Sequence, residues 1–271
     1  MKIGNREFDD FEGIYLMGIL NVTPDSFSDG GKYATAEEAV DSAMSMLADG
    51  ADIIDVGGES TRPGAVPITA EEEMGRVLPV IRLLRSRTDA PISVDTYHPE
   101  TAEAVLNEGA DMINDIWGLR YDKRMAGIIA KAKAGVCIGH NQKDITLVED
   151  VGSVAKDLFY SCMLAHNAGI EDERIMVDPG IGFGKTQEIN YGIIKNLGLI
   201  TELGYPVMVG ASRKSMIEYV LHLPKEERLE ATLALHVMAA LNGATFLRVH
   251  DVREHARALA MIKAVQAAKE E

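Results

Sequence analysis

A short run recurs along this chain in which glycine opens a brief apolar stretch and a polar residue closes it. Gly50-Ala-Asp-Ile-Ile-Asp55, Gly109-Ala-Asp-Met-Ile-Asn114 and Gly243-Ala-Thr-Phe-Leu-Arg248 share this design, and Ser93-Val-Asp95 and Met176-Val-Asp178 repeat its ending. Glycine favours the left-handed position that ends a helix, so each run reads as helix end, strand, then a polar group where the strand stops. Eight apolar runs of this kind occupy 14–20, 53–56, 92–94, 112–113, 136–138, 175–177, 207–209 and 246–249. They are nearly continuous in apolar character, as strands covered on both faces must be. Helical patterns such as 36–48, 70–87, 99–106, 151–168 and 229–241 lie between them. Repeated strand–helix alternation predicts parallel βαβ units, and the 271 residues suit one (β/α)8 TIM barrel, a single domain over 1–271. A doubly wound sheet is the alternative, but it would strew the strand-end residues along a crevice instead of a ring. In the barrel, Asp55, Asp95, Asn114, Asp178 and Arg248 share the face where barrels build their sites.

Composition narrows the partners. Lys plus Arg total 27 against 42 Asp plus Glu, a formal net charge of −15, which argues against a general nucleic-acid or anionic-membrane binder. A small anion held by a few focused cations remains compatible. Two cysteines, Cys137 and Cys162, make no disulfide framework. With neither a signal-like leader nor a membrane-length apolar run, the expectation is a soluble cytoplasmic protein.

Four loops hold the candidate chemistry. After the first strand, 21–31 is rich in turn formers and hydroxyls around Phe27, either a surface loop whose Phe packs back or a lid over the barrel mouth. After the second, Gly57-Gly-Glu-Ser-Thr-Arg-Pro-Gly64 joins two glycines to Arg62, a combination that can take an anion but often marks only a turn. Asp178-Pro-Gly-Ile-Gly-Phe-Gly-Lys-Thr186 ends in Gly-Lys-Thr, yet a phosphate-binding P-loop needs glycine where Pro179 stands, and the dinucleotide spacing also fails. Gly210-Ala-Ser-Arg-Lys-Ser215 sets two cations at the start of a predicted helix, where a nearby anion would explain them, or long side chains are simply solvated. At the last strand, Arg248 and His250 share a side. No histidine or cysteine grouping reads as a metal cluster, and His140 has no evident partner. What emerges is a carboxylate and amide group (Asp95, Asn114, Asp178) opposite a basic arc (Arg62, Lys214, Arg248, His250). One ligand with an N–H-rich edge and a phosphate end would satisfy both.

These residues also carry a resemblance. GILNVTPDSFSDGG, IIDVGGESTRPGA, ISVDT, INDIWGL, VDPGIGFGKT, VGASRKSMI and RVHDV, in this order from Gly18 to Val252, resemble the dihydropteroate synthase family. The resemblance implies a TIM barrel that condenses 6-hydroxymethyl-7,8-dihydropterin pyrophosphate with p-aminobenzoate. It implies that Asp95, Asn114, Asp178 and Lys214 hold the pterin while Arg248 stacks on it. Thr61, Arg62, His250 and an Mg²⁺ that Asn21 helps bind would take the pyrophosphate. Phe27, Pro63, Phe183 and Ser215 would form the p-aminobenzoate pocket, and Asp95, Asp178, Lys214 and Arg62 would do most for catalysis. A homodimer is also implied. One departure stands in the pattern: Ile138-Gly-His-Asn141 has Gly139 where the family carries a methionine that packs on the pterin.

Overall fold

The computed structural model describes residues 1–9, 13–23, 35–60 and 66–268. A small antiparallel hairpin, β1 (Lys2–Ile3) and β2 (Arg6–Glu7), opens the chain and was not foreseen from the sequence. The barrel strands follow: β3 (Tyr15–Asn21), β4 (Ile53–Gly57), β5 (Ile92–Asp95), β6 (Met112–Asp115), β7 (Gly135–Gly139), β8 (Ile175–Asp178), β9 (Met208–Val209) and β10 (Phe246–Val249). All pair in parallel in the order β8-β7-β6-β5-β4-β3-β10-β9. A parallel bridge between Val177 and Val207, with the Val177 N–H donating to the Pro206 carbonyl at 3.0 Å, closes the ring between β8 and β9.

The described helices are α1 (Ala36–Ala48), α2 (Ala70–Arg87), α3 (Pro99–Asn107), α4 (Arg124–Ala132), α5 (Val151–Ala168), α6 (Gln187–Lys195), the single turn α7 (Gly198–Thr201), α8 (Ser215–Leu221), α9 (Leu229–Leu241) and α10 (Val252–Gln266). Their starts follow local chemistry. Thr69 caps α2 by accepting from the Glu72 N–H at 3.2 Å, and Asp150 with Ser153 forms a reciprocal capping box on α5. The repeated glycines do what the sequence asked of them: Gly50 and Gly109 sit at φ +108° and +99°, just after α1 and α3.

Because side chains alternate along a strand, each barrel strand splits its residues between two layers. One set, including Leu20, Ile54, Val56, Val94, Ile113, Val136, Val177 and Val249, packs against the helices. The other fills the barrel: Met17, Ile53, Met112, Cys137, Met176, Met208 and Phe246 form one cluster of fully buried side chains. Met1, Ile3 and Phe8 of the hairpin segment join this cluster from below. Phe8 meets Tyr15 edge-on at 4.9 Å and Phe246 at 5.4 Å, so the hairpin plugs the mouth at the strands' amino ends. The functional groups are therefore left to the opposite mouth.

Candidate active site

Continuing the same alternation by one inward position brings Asp55, Asp95, Asn114, Asp178 and Arg248 to the carboxyl ends of their strands. The register sets Asp95 beside Asn114, and Gly139 beside Asp178. Asp55, fully buried, is the organiser: its Oδ2 accepts from Asn114 Nδ2 at 3.1 Å and from Arg248 Nε at 2.6 Å. A second Arg248 nitrogen donates to Asp95 Oδ2 at 2.8 Å. The expected opposition of acids and cations is thus corrected at one residue. Arg248 lies among the carboxylates, because two buried acids need a cation that can serve both at once, and the guanidinium fork does.

This leaves acceptors to spare. Asp55 Oδ1 and Asp95 Oδ1 are buried and have no hydrogen-bond partner. Burial raises the Asp95 carboxyl to about 7, against the opposing pull of Arg248. It also raises Asp178, against Lys214. Burial would lower Arg248, but Asp55 and Asp95 outweigh it and the group is held above its ordinary range. Lys214 is lowered by burial to about 8, with Asp178 resisting. Carboxyl groups so placed are poised to accept from a ligand rich in N–H donors.

The β8 and β9 loops meet beside this group. Asp178 Oδ1 accepts from the Gly180 N–H at 2.8 Å, the Lys214 ammonium donates to the Ile181 carbonyl, and it lies 4.4 Å from the centre of the Phe183 ring. Lys214 and Phe183, which the resemblance assigned to different substrates, are therefore in contact. Ser215, exposed at the first residue of α8, lines an open groove of about 730 Å³ with Gln187, Glu218, Tyr219 and His222. His250 Nδ1 and the Ser212 hydroxyl are 2.9 Å apart. Arg213, the other cation of that loop, is taken by Asp251, with Nε donating at 3.1 Å. Phe27, Thr61, Arg62 and Pro63 lie outside the described residues.

Several buried polar groups escaped the sequence reading. Glu59 accepts from the Tyr97 hydroxyl at 2.8 Å and sits 3.1 Å from His98 Nε2. Glu73, fully buried and raised by that burial, accepts from Thr96 at 2.7 Å. A signal for Glu73 existed: it precedes Val77, Ile81 and Leu84 on the buried face of α2, where an acid is out of place. His140 does have a side-chain partner, Asp157, 3.2 Å from its Nε2. The Ala211 N–H donates to His236 Nε2 at 3.0 Å, and the other nitrogen of that ring lies 2.9 Å from His255, so two buried histidines brace the β9 loop. None of these spacings is legible as a pair in the sequence.

Gly139 also finds its explanation. A Cβ there would lie 2.7 Å from Ile116 Cα and 2.9 Å from the Asp115 carbonyl oxygen. The β6 loop backbone occupies the space that the family's methionine side chain would need.

For Mg²⁺ the relevant group is Asn21, the last residue of β3. Its amide oxygen would be 3.6 Å from a Cβ on Gly57, so the absence of a side chain on Gly57 keeps room beside it. One neutral oxygen donor suits a small hard cation that keeps its waters and takes the rest of its shell from phosphate oxygens. Asn21 offers one oxygen donor of the kind such an ion takes.

Comparison with known proteins agrees with this geometry. A family described as pterin binding enzyme matches residues 17–250. The dihydropteroate synthase of Clostridium beijerinckii is 49% identical over 96% of this chain and 97% of its own length. The chain belongs to the dihydropteroate synthase family. Among solved structures, Clostridium difficile dihydropteroate synthase in the presence of pteroic acid superposes with a TM-score of 0.92 at 46% identity, covering 96% of this chain and all of that one. The Xanthomonas albilineans enzyme with 4-aminobenzoic acid gives 0.90 at 42%, covering 95% of each. The family's fold is the TIM barrel found here.

Proposed function

We propose that this chain is a transferase, a dihydropteroate synthase that joins 6-hydroxymethyl-7,8-dihydropterin pyrophosphate to p-aminobenzoate and releases pyrophosphate. The observation that carries the reading is the barrel-mouth cluster of Asp95, Asn114 and Asp178 around the anchored Arg248, with free buried acceptor atoms. Asp95, Asn114 and Asp178 receive the pterin N–H donors, Lys214 bonds its polar edge, and the restrained guanidinium of Arg248 stacks on the ring. His250, Thr61 and Arg62 hold the pyrophosphate, with Mg²⁺ on Asn21. When bound, Mg²⁺ neutralises charge on the departing anion. Phe183, Ser215, Phe27 and Pro63 form the arylamine pocket.

The carbon–oxygen bond to pyrophosphate breaks ahead of attack. The methylene cation that results is stabilised by Asp95 and Asp178, and the leaving anion by Arg62 and His250. The aniline nitrogen then forms the new carbon–nitrogen bond and loses a proton. A neutral amine needs no strong base, which accounts for a site without an activated nucleophile.

We treat 1–271 as one domain acting in the cytoplasm; no described helix is long and apolar enough to cross a membrane. We also propose a homodimer. Exposed Met238 and Leu241 on α9 and Met261 and Val265 on α10 give two neighbouring helices an apolar surface. Light scattering at the mass of one chain would refute that point.

The deciding assay measures pyrophosphate release from the dihydropterin substrate with Mg²⁺, with and without p-aminobenzoate. Release coupled to dihydropteroate only when the arylamine is present is the expected result. Tight pterin binding without release would overturn the proposal.

A further inference from the structure

The Gly-Lys-Thr segment, which fits neither nucleotide motif, is accounted for by two adjacent structural roles. Thr186 caps α6, its hydroxyl accepting from the Ile189 N–H at 3.3 Å. Lys185 turns the other way. It is buried, and its ammonium donates to three carbonyls: Gly180 at 2.9 Å, Phe183 at 2.9 Å and His140 at 3.1 Å. The first two belong to the β8 loop and the third to the β7 loop. Three N–H donors meet three acceptors, so the ammonium is satisfied without a carboxylate in contact.

The two loops also touch through bare backbone. A Cβ on Gly180 would fall 1.9 Å from the His140 carbonyl oxygen, and one on Gly184 2.0 Å from that of Gln142. Both glycines are at positive φ, +66° and +56°. Close backbone approach brings carbonyl oxygens together, and the Lys185 N–H donors offset their mutual repulsion, although burial lowers the ammonium to about 7. The pinned loop then makes three contacts with site residues: the Gly180 N–H to Asp178, the Ile181 carbonyl to Lys214, and the Phe183 ring beneath the Lys214 ammonium.

We infer that Lys185 is a positioning residue of the active site, a three-pronged staple between the β7 and β8 loops that seats Phe183 for the arylamine and, through the Ile181 carbonyl, Lys214 for the pterin. It touches no substrate itself. The inference rests on the synthase reading above.

Lys185→Met keeps the length of the apolar stem and removes all three donors. The expected result is a KM for p-aminobenzoate raised ~10-fold or more, kcat lowered less, and faster amide hydrogen exchange across 180–186 than in the wild-type chain. Lys185→Arg, which keeps charge and donors, should recover part of the KM. Wild-type KM and wild-type exchange in a folded Lys185→Met chain would overturn the staple. If that chain does not fold, Lys185→Gln, with two donors on a shorter stem, takes its place and is judged by the same two readings. An inactive wild-type chain would instead count against the synthase reading, and the exchange comparison would still test the staple alone.

Discussion

Asp95 and Lys214 sense each other's charge, and burial moves them in opposite directions, to about 7 and about 8. Accepting pterin N–H groups requires the Asp95 carboxylate, and pairing with Asp178 requires the Lys214 ammonium. The kcat/KM profile should therefore be a narrow bell, rising through the first value and falling through the second. Asp95→Asn should lose the acid limb along with most activity, and a profile unchanged in shape would refute the assignment. The same ionisation has a sign in stability. The folded carboxyl binds its proton more tightly than the unfolded one, so its contribution is full below 3.8 and lost as pH rises through about 7. Urea midpoints of Asp95→Asn should accordingly fall less than wild type over that interval. Gly139 makes a second residue-scale test. Gly139→Met, the residue of the family pattern, drives a Cβ into the Ile116 backbone and should cost ~1–3 kcal/mol in urea unfolding without tightening pterin binding. The substitution itself was visible in the sequence. Its reason was not, because it depends on how near Ile116 comes from the loop after β6. Asp95, Asn114 and Asp178 were legible for the opposite reason: each sits where an apolar run stops, a purely local signal.

At the scale of elements, the strands were readable because a strand buried on both faces must be apolar throughout, and the helices because α2 and α5 each carry one apolar stripe. The hairpin was not readable. Lys2–Ile3 and Arg6–Glu7 are two residues each, too short for a period, and what they mean depends on a barrel floor assembled from the far-off Tyr15 and Phe246. That floor is testable. Phe8→Ala removes a ring from the aromatic plug and should lower stability by ~3–5 kcal/mol in thermal unfolding. It should leave both KM values unchanged, since the plug and the site occupy opposite mouths. A changed KM with unaltered stability would contradict the layout. The pairing of Arg248 with Asp55 and Asp95 was equally hidden, as 193 and 153 residues separate the partners along the chain.

For the whole molecule, the barrel is unevenly closed. β3 and β4 share five register pairs, whereas β8 meets the β9 edge through one bridge, Val177 to Val207. Backbone opening should start at that seam, so amides at 175–178 and 207–209 should exchange faster than those of β3 and β4. Uniform protection around the ring would refute this. The seam matters to function because Asp178 ends one of its strands and the Lys214 loop follows the other. Net charge, by contrast, was fully legible and says little about the mouth: −15 over the chain coexists with Lys185, Lys214 and Arg248 gathered beside the site.

The interior beneath that seam is lined with sulfur. Met17, Met112, Met176, Met208 and Cys137 are all without solvent exposure. A thioether turned to sulfoxide becomes polar and is costly in a dry, close-packed barrel, so oxidation there is slow and destabilises the fold. Peroxide can reach these atoms only while the wall is parted, and Met176 and Met208 flank the parting strands. The order in which the four sulfoxides appear would record, atom by atom, where the barrel breathes.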